Sequence, residues 1–213
     1  MAISDLFRRK DESDAVSDAD RSPTFTSKVL PKLLATLKAR EQPVLLDLGP
    51  VVGHNVTFFG EHLGCKIFVE DIFSDIDRHV RNGTHTALPT FFASRFPQQD
   101  GSVDGVLCWD VFDYLEKPAA QALAAQIARI LRPDGMALGF FSTASPDSAH
   151  TFYTKRTLVD EATLQHREYP AARAKQTPLL NRDIIRMFEP LHVTEQILLK
   201  TNVREMLFRK SAA

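Results

Sequence analysis

The segment Asp47-Leu48-Gly49-Pro50-Val51-Val52-Gly53 brings together a carboxylate, two glycines and the start of a predicted helix. Gly49 lets the backbone turn sharply and come close to a ligand, and the helix that follows offers unpaired N–H groups. Further on, Glu70-Asp71 closes a second apolar stretch. A carboxylate at that point can accept both hydroxyls of a ribose, and acidic ends of this kind disfavour a phosphate and welcome a cation. A third group, Asp110, Asp113 and Tyr114, follows Trp109, the only tryptophan. If the stretch before them is a strand ending at the same sheet edge, these side chains face a substrate; otherwise Asp110 or Asp113 caps the next turn. Trp109 either lays its face against a cation or packs beneath the following helix.

These groups act together only if the chain gathers them on one edge. Pro43-Val44-Leu45-Leu46-Asp47-Leu48-Gly49 is a short apolar run ended by glycine, as expected of a strand buried on both faces. Lys66–Glu70, Ser102–Trp109 and Met136–Phe141 read as further strands, with a weaker one around Thr90–Ala93. Helices are expected from Phe25 to about Arg40, Asn55 to Leu63 with Gly64 as stop, and Ser74 to Arg81 with Ser74 as cap. A long helix with Pro118 in its first turn ends at Arg132-Pro133-Asp134-Gly135. Strand and helix alternate, which argues for a parallel sheet covered on both faces. Such sheets bind ligands beyond the carboxyl ends of their strands. A last helix is expected at Arg182–Phe188. His192–Leu199 and Val203–Phe208 lie too close together for a helical crossover, so they pair as an antiparallel hairpin.

Composition narrows the function classes. In 213 residues, 26 Lys+Arg oppose 27 Asp+Glu, which signals neither nucleic-acid nor anionic-lipid binding. No stretch approaches the ~18 apolar residues of a membrane span, and the first residues lack the apolar core of a secretory signal. Two cysteines in apolar surroundings, Cys65 and Cys108, read as free thiols, and the expected compartment is cytoplasmic. His166-x-Glu168 has half the spacing of a metal site but no evident third ligand, and His54 and His62 read as surface or core residues, so no metal is expected. There is no G-x-S-x-G elbow, Walker loop, H-E-x-x-H or paired C-x-x-C.

From Val44 to Lys210 the chain resembles the class I S-adenosylmethionine-dependent methyltransferases. Asp47-Leu48-Gly49 with Gly53 is similar to the first motif of that family. Asp100-Gly101-Ser102-Val103-Asp104-Gly105-Val106-Leu107 is similar to its fourth-strand motif. Ile127-Ala128-Arg129-Ile130-Leu131-Arg132-Pro133-Asp134-Gly135 is similar to the helix and turn before its fifth strand. The resemblance implies a doubly wound, mostly parallel seven-stranded α/β sheet with an antiparallel last strand. It also implies S-adenosylmethionine as cofactor, with S-adenosylhomocysteine as product. Asp47, Gly49, Gly53, Glu70, Asp71 and Trp109 would hold the cofactor, with Phe92 and Ala93 beside its adenine, where the family often places an acidic residue. Val51 stands where the family usually has a second glycine. A nicotinamide-binding domain fits less well, because it expects G-x-G-x-x-G.

Residues 1–23 read as a mobile, strongly polar arm and 24–213 as one domain, with 142–180 as a variable cover over the substrate. Within that cover a helix is expected near Thr157–His166. Its bases slightly outnumber its acids, which suits an anionic or aromatic substrate or simply a solvated lid. The acceptor is expected to be a small or mid-sized molecule, and Asp110, Asp113, Tyr114 or His150 could serve as a base. The alternative is a binding module that keeps the fold without the chemistry.

Overall fold

A computed structural model describes residues 22–144 and 151–212. The arm up to residue 21 and His150 therefore lie outside the described residues. The central sheet contains β2 (Val44–Asp47), β3 (Lys66–Val69), β4 (Val103–Trp109), β5 (Leu131–Ser142), β8 (Leu191–Leu198) and β9 (Val203–Lys210), in the order β3-β2-β4-β5-β9-β8. β2, β3, β4 and β5 run parallel, and β9 lies antiparallel between β5 and β8. The chain is thus a mostly parallel α/β protein with an antiparallel last strand. Every residue of β4 is buried, as a central strand covered on both faces requires.

Two apolar layers flank the sheet. On one side α1 (Leu30–Lys38) presses Leu30, Leu33, Leu34 and Leu37 onto Leu45, Leu107 and Leu138. On the other, α3 (Ile72–Arg81), α4 (Leu88–Ser94) and α5 (Lys117–Ile130) bury Ile72, Phe92, Leu123 and Ile127 against Leu46 and Val106. α2 (Gly53–Thr57) continues into a wider turn over Phe58–His62, and Gly64 then adopts a left-handed backbone. α6 (Asn181–Met187) precedes the closing hairpin.

Four expectations are corrected. The sheet has six strands rather than seven, because Thr90–Ala93 is helical. Pro89 sits in the first turn of α4, and Leu88 and Phe92, four apart, share its buried face. α1 starts at Leu30, not near Phe25: the Ser27 hydroxyl accepts from the Leu30 N–H at 3.0 Å and ends the preceding extended segment. Phe25 instead belongs to β1 (Thr24–Thr26). α3 is capped by Asp71, whose carboxylate accepts from the Ser74 N–H and hydroxyl at 3.2 and 2.6 Å, so Ser74 is the third residue of the cap rather than the cap.

The fourth correction concerns the cover. Thr157–His166 is not helical; it contains the turn between β6 (Phe152–Leu158) and β7 (Thr163–Pro170). The Asp160 carboxylate accepts from the N–H groups of Ala162 and Thr163 at 2.8 and 2.7 Å and forms that turn. β1 adds to the hairpin as a third strand. Asn55, on α2, holds the hairpin against the main domain: its amide donates to the Arg156 carbonyl at 2.9 Å and accepts from the Leu158 N–H at 2.8 Å.

Removing that clamp leaves a buried donor and a buried acceptor without partners. Asn55→Ala is therefore expected to cost about 1–3 kcal/mol, read as a lower denaturation midpoint with an unchanged slope. An unchanged midpoint would show that the hairpin is held some other way.

Candidate active site

β2 and β4 end side by side, and their last residues form the centre of the site. Asp47 Oδ1 accepts from the Gly49 N–H at 2.8 Å and from the Trp109 indole N–H at 2.6 Å. Trp109 adopts φ +50°, a left-handed backbone that is uncommon for a bulky residue and that turns its ring back across the sheet edge. A Cβ built at Gly49 would lie 2.6 Å from Trp109 Cδ1, so only glycine fits beneath the indole. On its far side Trp109 lies parallel to Phe140, with ring centroids 6.2 Å apart.

Asp47 is buried and, among the described residues, has no cationic partner. Burial pushes its carboxyl up to about 6, with the two hydrogen bonds opposing and Asp71 adding to the rise. Both hydrogen bonds fall on one oxygen, so the other can meet a cationic ligand.

Glu70, just beyond β3, receives Arg95 Nη1 on Oε2 at 2.6 Å and Gln98 Nε2 on Oε1 at 3.0 Å. Arg95 follows α4, so the helix that replaces the expected strand supplies this partner. A carboxylate has about four acceptor sites; two are used here, which leaves capacity for a diol. Asp71 also lies at this edge, with φ +35°, as the cap of α3. Phe92 points into the core with no exposure, whereas Ala93 is exposed on α4, so the Phe92 ring is not presented to a ligand. Val51 is 62% exposed and leaves the turn open.

Beyond β4 the edge is closed by charge. Asp110 pairs with Arg156 at 2.5 Å and with Lys175 at 3.2 Å, while Lys175 also reaches Asp113 at 3.0 Å. The Asp113 carboxylate accepts from the Ser142 N–H at 3.1 Å. Burial works against ionisation of Asp110, but Arg156 and Lys175 outweigh it and hold the carboxyl well below the usual range. Burial pushes Asp113 the other way, upward, against the opposing charge of Lys175. The Tyr114 hydroxyl donates to the Phe152 carbonyl at 2.7 Å, and burial raises its ionisation far above neutrality. Tyr114 thus joins β6 to the sheet.

Asp47, Gly49 and Trp109 meet at one point; Glu70 and Asp71 flank it; Asp110 and Asp113 lie beyond it. Gly53 opens α2, with nothing within 4 Å of the position a Cβ would take. Sequence reasoning missed Arg95, Gln98, Arg156, Lys175 and Asn55. Arg156 and Lys175 stood out only as two bases in a long polar stretch, and nothing in the spacing coupled them to Asp110. Among the described residues no three His, Cys, Asp or Glu side chains could hold a metal, and no helix is long and apolar enough to cross a membrane.

The architecture and edge define an α/β methyltransferase. A family model described as "Methyltransferase domain" matches residues 19–189. The chain belongs to that family, the class I S-adenosylmethionine-dependent methyltransferases. No curated protein sequence matches it. Among solved structures it is similar to the Burkholderia thailandensis 1,6-didemethyltoxoflavin-N1-methyltransferase, solved with 1,6-didemethyltoxoflavin and S-adenosylhomocysteine. The identity is 16% and the TM-score 0.50, over 98% of this chain and 86% of that one. It is also similar to a Listeria monocytogenes protein assigned as an S-adenosylmethionine-dependent methyltransferase, at 14% identity and TM-score 0.50, over 85% and 95% of the two chains. At these identities the similarity speaks for the fold.

The Asp47 carboxylate, without a cationic partner among the described residues, fits a cationic ligand, and the spare acceptor sites of Glu70 fit its ribose. Trp109 fluorescence is expected to titrate with a midpoint near pH 6, because it is the only tryptophan and donates to Asp47. Folded Asp47 holds its proton to higher pH than the unfolded chain does. Its ionisation therefore removes stability as pH rises through the window between 3.8 and about 6. Asp47→Asn, which still accepts both bonds, should abolish the midpoint and gain about 1–3 kcal/mol at neutral pH. A midpoint that survives the substitution would assign the titration to another group.

Proposed function

We propose that the chain transfers a methyl group from S-adenosylmethionine to a small or mid-sized acceptor at the carboxyl edge of its sheet. The observation that supports this most is the buried, uncompensated Asp47 carboxylate at the Gly49 turn, beside a second carboxylate, Glu70. When bound, the cofactor supplies an electrophilic methyl on a positively charged sulfur. The protein's share is to hold, align and dry the partners, and positioning of this kind can supply about 7–11 kcal/mol.

In this reading Asp47 meets the cationic end of the cofactor, Gly49 makes the turn that gives room to the Trp109 indole, and Glu70 accepts from the ribose. Asp71 and the start of α2 at Gly53 complete the wall, and the buried Trp109 ring, between Gly49 and Phe140, holds Asp47 from behind. Ala93 and the backbone near α4 line the adenine side. Residues 142–180 serve as the cover, with Asp110, Arg156, Lys175 and Asp113 fastening it. Asp110 is held as an anion by two cations, and Tyr114 is engaged with Phe152, so neither is offered as the base. Asp113 is likewise engaged, by Lys175 and by the Ser142 N–H, and His150 lies outside the described residues. A cytoplasmic setting is supported by Cys65 and Cys108, both buried and unpaired.

Calorimetry with S-adenosylhomocysteine is expected to give saturable binding with a change in Trp109 emission, weakened at least about tenfold by Glu70→Ala, since a charge-assisted hydrogen bond is worth about 1.5–3 kcal/mol. Flat titrations of correctly folded protein would end this reading.

A further inference from the structure

A cavity of about 260 Å³ lies between the hairpin and the main sheet, lined by Phe25, Phe140, Thr154, Arg156, His166 and Lys175 among others. It is smaller than a drug-sized pocket, with room for one or two fused rings. Its walls are aromatic: Phe25 meets Phe140 and His166 edge-on, with ring centroids at 5.9 and 4.3 Å. The Arg156 guanidinium lies 5.0 Å from the Phe140 centroid.

Two buried polar atoms of this wall have no hydrogen-bond partner among the described residues: Arg156 Nε and His166 Nε2. Arg156 is itself almost wholly buried, with its side chain 4% exposed. The two residues are direct cross-strand partners of β6 and β7. Their side chains therefore stand next to each other on one face of the hairpin. Buried orphan groups of this kind are rare and call for a partner. One is a fixed donor. The other accepts when the imidazole is neutral with its proton on Nδ1. Burial, and then the charge of Arg156, push His166 down to about 4, so the ring is neutral at pH 7.

A group that accepts from one atom and donates to the other at one point is a hydroxyl. With the proton on Nδ1, an aromatic carboxylate would satisfy Arg156 but leave His166 Nε2 without a donor. We propose that this cavity binds a flat aromatic molecule through a phenol-like hydroxyl, whose oxygen accepts from Arg156 Nε and whose proton is donated to His166 Nε2. This deepens the methyl-transfer reading and rests on it for the role of acceptor. His166 acts only as a hydrogen-bond acceptor: the hydroxyl keeps its proton and is oriented between the two side chains, with its oxygen facing Arg156. Phe25 and Phe140 hold the ring by stacking and edge contacts.

Binding is tested on the full chain without any methyl donor, using 2-naphthol, 2-methoxynaphthalene and naphthalene in calorimetry. 2-Naphthol should bind at least about tenfold more tightly than either analogue, because only it satisfies both orphan atoms. His166→Phe keeps the ring packing and should erase that preference. Arg156→Lys keeps a charge for Asp110 and should weaken 2-naphthol while sparing naphthalene. Equal binding of the three probes, or a preference that survives His166→Phe, overturns the proposal. S-adenosylhomocysteine is titrated separately: if it binds and 2-naphthol does not, this assignment fails alone. If 2-naphthol binds as described and the cofactor does not, the hydroxyl site stands and the methyl-transfer reading fails.

Discussion

A carboxylate buried without a counter-charge is the constraint on which the site depends. Asp47 ends β2 where the chain must turn, and among the described residues its charge is met only by two N–H groups on one oxygen. Both donors come with conditions. The first needs a glycine at position 49, since any Cβ there would strike the indole. The second needs Trp109 in a backbone conformation that L residues avoid, which holds the ring across the edge of β4. An arrangement that tolerates both a strained residue and an uncompensated charge is retained at the expense of stability, as functional sites commonly are.

The segment after β4 follows the opposite strategy. Asp110, Arg156, Lys175 and Asp113 pair two acids with two bases, and the pairs join β4 and the segment after it to the hairpin and to the stretch beyond β7. Buried ion pairs add little net stability, yet removing one partner is costly. The network therefore fixes the hairpin and the stretch beyond β7 against the segment that follows β4. Asn55 works the same way through hydrogen bonds to the backbone of β6, which positions Arg156 beside the cavity.

The parallel core of the fold was legible because its strands are apolar runs and its helices carry one apolar face. Asp47, Gly49, Glu70 and Asp71 could be placed at the edge because strand ends set their position. Two kinds of residue resisted. Thr90–Ala93 looks extended by composition, but Pro89 and the Leu88–Phe92 pair settle it as helix through packing on the core. Thr157–His166 looks like one amphipathic turn of helix, but the Asp160 cap closes a hairpin whose stability comes from β1 and α2. Partners that arrive from distant segments carried no local signal: Arg95 for Glu70, Arg156 and Lys175 for Asp110. Their meeting is a property of the fold, and a single chain of letters shows only that such charges exist.

If Asp47 meets a cationic ligand, its carboxyl must respond to that charge. Carboxyl carbon NMR on the folded chain, with the Asp47 resonance assigned from Asp47→Asn, measures this directly. Saturation with S-adenosylmethionine should bring its ionisation down from about 6 by at least about one unit, as a nearby positive charge does to a carboxylate. A resonance that titrates identically with and without the saturating ligand would contradict the account.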